Sequence, residues 1–190
     1  AGQIGGGGQG TAYLAVDNNA ASDSVNREVV LKEYILPVHR GQQVLNATIQ
    51  KLEQEADILR RINHENIVHM LDSFVEDHRG YLVLEHIDGA SLRQLVEQNG
   101  KLPESEARLL AVQMCQILGY LHGLTPPVVH RDFTPDNLIL RKDGTLKLVD
   151  FNVAQQTEST ATGTVVGKHS YLPPEQFRGM PTTQSDIYAM

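Results

Sequence analysis

The sequence predicts an α+β protein of two lobes: a small sheet-rich lobe over 1–84, a short hinge over 85–90 and a mostly helical lobe over 91–190. Three observations predict it. Strand-like runs surround a single amphipathic helical pattern in the first part of the chain. The longest helical pattern opens only after Pro103. At 190 residues the chain can bury one sizeable core or build two small lobes that share a cleft.

The elements follow in order. Residues 11–16 and 28–36 are β-branched and aromatic and read as strands, with the polar turn Asp17 to Asp23 between them. Over 43–62 the apolar positions Val44, Leu45, Ile49, Leu52, Ala56, Ile58, Leu59 and Ile62 have helical spacing. Residues 67–75 and 80–87 read as a strand pair. Ser91 caps a short helix, with Gln94 as its capping-box partner. Pro103 and Glu104 open a helix that runs through Leu110, Ile117 and Leu121. Leu138 to Leu140 and Leu146 to Val149 are short strands joined at Asp143-Gly144, a hairpin turn signal. Residues 152–170 are hydroxyl-rich with little periodicity and read as a long functional loop.

Composition narrows the function classes. Hydrophobic residues make up 41% and charged residues 21%, as in ordinary globular proteins. The net charge of −7 disfavours nucleic acid or an anionic membrane as the main partner. The single cysteine, Cys115, excludes an intramolecular disulfide framework and reads as a small core residue in an apolar helix. No apolar run reaches membrane-spanning length and no signal peptide opens the chain, so a cytoplasmic location is expected. The first residues lead directly into a glycine run, and the chain stops at Met190 inside an apolar pattern without a helix stop signal. The reading is of a domain incomplete at both ends, whose parent could carry a membrane segment elsewhere.

The chemistry begins with glycine. Gly5, Gly7 and Gly10 form G-x-G-x-x-G, a spacing that lets backbone N–H groups approach a polyphosphate. A dinucleotide fold needs a helix straight after Gly10, and a strand pattern follows instead. Lys32 ends the apolar run Val29-Val30-Leu31, in position to hold phosphates. Its anionic partner is sought among Glu53, Glu55 and Asp57, and Glu55 is chosen because Leu59, four residues on, lies on the same inward face. The run 130–150 decides the reading. Asp132 and Asn137 share one loop, and Asp150 follows the hairpin. Phosphoryl transfer needs a carboxylate to orient and deprotonate a hydroxyl, and a second carboxylate plus an amide oxygen to hold Mg²⁺ on the phosphates of ATP.

On these residues the chain resembles the eukaryotic-type (Hanks-type) serine/threonine protein kinases. The matches are I-G-G-G-G-Q-G-T-A at 4–12, V-V-L-K at 29–32, Glu55, H-E-N-I-V at 64–68 and L-V-L-E at 82–85. They continue with H-R-D-F-T-P-D-N at 130–137, D-F-N at 150–152, P-P-E at 173–175 and Asp186. The resemblance implies a bilobal kinase-like fold with a partial helical lobe, ATP and Mg²⁺ as cofactors, and a protein substrate. It implies Leu84 as gatekeeper, adenine bonded to the backbones of Glu85 and Ile87, and Ala12, Val30 and Ile139 sandwiching the base. Asp132 is the implied base, Asn137 and Asp150 the implied Mg²⁺ ligands, and Lys32 with Glu55 the phosphate-holding pair. Arg131 is the implied receiver of a regulatory phosphate, on Thr164 by its spacing from Glu175. The insert Leu124-Thr125-Pro126-Pro127 resembles bacterial members.

Three departures bear on the activity. Thr134 stands where the family has lysine, and Lys168 where it has threonine. Those family positions touch beside the base, so the pair is read as exchanged. Asn152 replaces a glycine, and asparagine tolerates the left-handed backbone best among other residues. Small-molecule kinases share H-x-D-x-x-x-x-N but lack the segment ending in P-P-E. Pro135 and Asp136 resemble the serine/threonine loop, not the tyrosine one. The competing reading is a pseudokinase, an ATP-binding switch or scaffold without turnover.

Overall fold

Glycine is a poor strand residue, yet the glycine run Gly2–Gly7 forms strand β1. Its ladder with β2 (Gly10–Val16) supplies partners that the sequence pattern does not reveal. This is a computed structural model, and the residues it describes are 2–7, 10–18, 28–36, 41–151, 154–156 and 169–190. The chain divides into two units, Ala1–Ile62 with Val68–His86, and Asn63–Ile67 with Ile87–Met190.

The first unit is a five-stranded antiparallel sheet carrying one helix. Its other strands are β3 (Glu28–Ile35), β4 (Met70–Glu76) and β5 (Arg79–Glu85), in the order β1-β2-β3-β5-β4. A two-residue turn joins β4 to β5, with Asp77 and His78 both at positive φ, the twist that tight hairpins require. Helix α1 (Gln42–Arg61) packs through Leu52, Ala56, Ile58 and Leu59. Leu52 of this helix lies so close to Gly80 of β5 that a Cβ at Gly80 would overlap it.

Register places the candidate residues. Ala12 pairs with Lys32, Lys32 with Leu82, and Val30 with Leu84. Directly paired residues, and residues two apart on a strand, point to one face. Ala12, Val30, Lys32 and Leu84 therefore share a face. Gly10 has a separate, structural reason to be glycine: a Cβ there would sit 2.5 Å from the carbonyl oxygen of Glu33. Gly10→Ala is expected to cost about 1–3 kcal/mol, read as a lower urea midpoint. At Gly5 a Cβ meets only the Ala12 Cβ at 3.9 Å, so Gly5→Ala should leave stability nearly unchanged.

The second unit is helical with short strands. Strand β6 (Gly89–Ser91) leads into α2 (Leu92–Asn99), whose Ser91–Gln94 capping box is formed. Helix α3 (Glu104–Gly123) precedes β7 (Val128–Val129), β8 (Leu138–Arg141) and β9 (Leu146–Leu148). Strands β6, β8 and β9 form one sheet, while β7 pairs with β10 (Gln155–Gln156). A 3₁₀ turn at His169–Tyr171 and helices α4 (Pro174–Phe177) and α5 (Thr183–Ala189) follow. The Asp143-Gly144 turn is present, with Gly144 at φ 84°. Ile117, Leu121, Phe133, Leu146, Leu148 and Phe151 form the core.

Cys115 corrects the sequence expectation. It is exposed, not a core residue. Helix α3 buries Leu110, Ile117, Leu118 and Leu121, and Cys115 lies roughly 140° around the helix from Leu110. Apolar Leu109 and Val112 lie exposed as well, so the pattern alone did not distinguish the faces. No helix among the described residues is long and apolar enough to cross a membrane.

Candidate active site

The loop 130–137 hangs between β7 and β8 and is organised by its own short-range bonds. The Thr134 amide donates to the Asp132 carbonyl, and the Asn137 amide to the Thr134 carbonyl, each at 2.9 Å. Asn137 Nδ2 donates to both the Asp132 carbonyl and Asp132 Oδ2, again at 2.9 Å. This commits the nitrogen side of the amide to Asp132 and turns Asn137 Oδ1 away from it. The Asn137 carbonyl accepts from the Val149 amide (2.9 Å), which ties the loop to the chain just before Asp150.

Asp150 and Arg131 have φ of 68° and 69°. Non-glycine residues rarely hold that conformation, and it concentrates where function requires a particular presentation. Arg131 is held from both sides. Its amide donates to Asp186 Oδ1 (2.7 Å) and its carbonyl accepts from Gln176 Nε2 (2.6 Å). The preceding His130 amide donates to Asp186 Oδ2 (2.8 Å), which His122 Nε2 also meets at 2.9 Å. Asp186 is fully enclosed and anchors the loop from α5. The sequence marked it as a motif match without a task, because its partners lie 55 or more residues away. Asp186→Ala is expected to strand two buried amides at about 1–3 kcal/mol each. Urea denaturation should show a large drop, with Asp186→Asn, which keeps one acceptor, falling between.

The His130 ring is buried edge-on against Phe151, with centroids 5.0 Å apart. Burial pushes the Arg131 guanidinium below its usual pKa, and the charge of Asp186 opposes that shift. Two buried oxygens, Asp132 Oδ1 and Thr134 Oγ1, have no hydrogen-bond partner among the described residues. Lys168, Thr164 and Asn152 lie outside those residues.

In the first unit, Lys32 Nζ donates to Glu55 Oε1 at 2.7 Å, and both side chains are buried. The Glu85 amide is committed to the His69 carbonyl (2.9 Å) and its carboxylate to the His69 amide (2.8 Å). The adenine-binding candidates are divided: Ala12, Val30, Leu84 and Glu85 belong to the first unit, Ile87 and Ile139 to the second.

The candidate metal ligands would offer only oxygen atoms, the amide Oδ1 of Asn137 and the carboxylate of Asp150. No group of three or more His, Cys, Asp or Glu that could hold a metal occurs among the described residues. That donor set suits Mg²⁺, which binds one or two carboxylates, substrate phosphates and water, and not a soft transition metal.

The protein kinase domain family profile matches residues 1–190. The chain belongs to the protein kinase domain family. This kinase domain is 35% identical over 191 residues to serine/threonine-protein kinase PrkC of Bacillus subtilis (strain 168), covering 98% of the chain and 28% of that protein. It is 31% identical over 198 residues to serine/threonine-protein kinase PknA of Nostoc sp. (98% and 34%). It is 34% identical over 203 residues to serine/threonine-protein kinase B of Synechocystis sp. (99% and 34%). The chain thus spans about a third of the length of these relatives.

Proposed function

We propose that the kinase domain transfers the γ-phosphoryl group of ATP to serine or threonine hydroxyls of a protein substrate. The observation that carries this is the geometry of Asp132. Asn137 pins its carboxylate through Oδ2, and Oδ1 is enclosed. Oδ2 is then the oxygen a substrate hydroxyl can approach. As the hydroxyl oxygen bonds to the γ-phosphorus, the bond to the β–γ bridging oxygen breaks and ADP leaves. The hydroxyl proton passes to Asp132 Oδ2. Lys32, braced by Glu55, holds phosphate oxygens. Gly5, Gly7 and Gly10 bring backbone N–H groups over them. Ala12, Val30, Leu84, Glu85, Ile87 and Ile139 receive the adenine. Asn137 and Asp150 would hold Mg²⁺, which would supply positive charge to the phosphates. Arg131 receives a phosphate added to Thr164.

The remaining assignment concerns Thr134 and Lys168. Asp132 Oδ1 and Thr134 Oγ1, buried and without a partner among the described residues, are costly unless a donor reaches them. The Lys168 ammonium, with three donors, supplies what both lack. Exchanging the two residues singly and together tests it. Thr134→Lys and Lys168→Thr should each lower phosphotransfer about tenfold to a hundredfold, and the double variant should recover most of it. Additive losses would sink the exchange.

The same two oxygens, without a partner among the described residues, favour the competing reading, a nucleotide-binding switch without turnover. Incubation of the full chain with labelled ATP, Mg²⁺ and a generic basic protein separates the two. Phosphoserine and phosphothreonine in the hydrolysed product support transfer. Nucleotide binding with no labelled product supports the switch.

A further inference from the structure

The two oxygens of Glu55 are divided between two donors on the same strand. Oε1 takes Lys32 Nζ at 2.7 Å, and Oε2 takes the hydroxyl of Tyr34. Lys32 and Tyr34 are two apart on β3 and point to one face. The Lys32 ammonium lies 5.8 Å from the centroid of the Tyr34 ring. Tyr34 is 5% exposed and Glu55 2%. A carboxylate this deeply buried needs its oxygens satisfied to remain charged.

The rest of α1 gives this bond its weight. The helix opens at Gly41 with no side-chain cap bond and no acidic residue in its first turn. Gln42 to Val44 are all exposed. Every fully buried α1 residue lies in its second half: Leu52, Glu55, Ala56, Ile58 and Leu59. Glu55 is the one charged residue in that set. Leu52 packs this face against Gly80 of β5, and Glu55 bonds it to β3 through both carboxylate oxygens.

We infer that Tyr34 is a positioning residue, a second tether that holds Glu55 and the buried half of α1 on β3 without help from nucleotide. Because Lys32 and Tyr34 take different oxygens, they do not compete. Tyr34 stops the carboxylate from rotating away, so Lys32 keeps a fixed direction. The catalytic consequence rests on the roles proposed above for Lys32 and Glu55; the seating of α1 does not.

Tyr34→Phe keeps the ring and removes the hydroxyl. In the nucleotide-free full chain, amide hydrogen exchange over Leu52 to Leu59 should quicken about tenfold, the worth of one hydrogen bond to an ionised group. Exchange in β5 should hold within twofold. A merely structural loss would speed helix and sheet together and overturn the inference, as would unchanged exchange in α1. In phosphotransfer, kcat/KM for ATP should fall about tenfold, and that fall should vanish in a Glu55→Gln background, where the carboxylate is already gone. Persistence of the full loss in that background would overturn the positioning role. If wild type transfers no phosphate while the exchange pattern holds, the kinase reading fails and the tether stands. If wild type transfers phosphate and Tyr34→Phe matches it in both measurements, the tether fails and the kinase reading stands.

Discussion

Asp132→Asn is expected to lower phosphotransfer by about 10²–10⁴-fold while ATP binding changes little. Asparagine has the same shape as aspartate, and its side-chain oxygen can still accept from Asn137 Nδ2, which now donates to Asp132 Oδ2 at 2.9 Å. The Asn137 bond to the Asp132 carbonyl does not involve the side chain at all. The loop therefore keeps its form, and what disappears is the capacity to take a proton. Steady-state transfer to a protein substrate, paired with calorimetric titration of an ATP analogue, checks both halves. Retained transfer would remove Asp132 as the base. Lost nucleotide binding would mean that the substitution had disturbed the loop after all.

Lys32→Met is expected to reduce transfer by a factor on the order of 10² or more and to destabilise the protein as well. The lysine is the cation beside a nearly inaccessible carboxylate. Removing one member of a buried pair commonly costs about 3–5 kcal/mol, because the other charge is left uncompensated. Tyr34 still donates to the second oxygen of Glu55, which moves the expected loss to the lower end of that range. Lys32→Met/Glu55→Gln removes the stranded charge and should recover stability without recovering activity. Urea denaturation and transfer assays on the single and double variants make the comparison. Recovery of activity in the double variant would mean that Lys32 acts only through the fold.

Much of the fold was legible because its signals are local. Helix α1 was expected over 43–62 and forms at Gln42–Arg61; the capping box at Ser91 and the turn at Gly144 occur where turn and cap chemistry put them. Glu55 could be preferred to Glu53 and Asp57 because one turn of helix links it to the buried Leu59. Asp132 and Asn137, five residues apart, meet through a hydrogen bond within a single loop. Less was legible where partners are distant. The glycine run gave no strand signal and is a strand only because β2 pairs with it. The turn at Asp77-His78 was missed, since neither residue is a strong hairpin signal and the ladder of β4 and β5 holds both at positive φ.

The sequence by itself determined the family and the residue types available to its chemistry: side chains of the kind that take a proton, hold a metal or meet phosphate, and their order along the chain. Those are properties of residue type and short spacing, set by bonds within a few residues. Tertiary structure decided who supports them. Tyr34 shares Glu55 with Lys32, Asp186 reaches back more than 50 residues to hold His130 and Arg131, and Cys115 faces outward from an apolar helix. Each outcome depends on which distant element packs against a given face. Helical or strand periodicity gives that direction only when one face is polar, and here several faces are not.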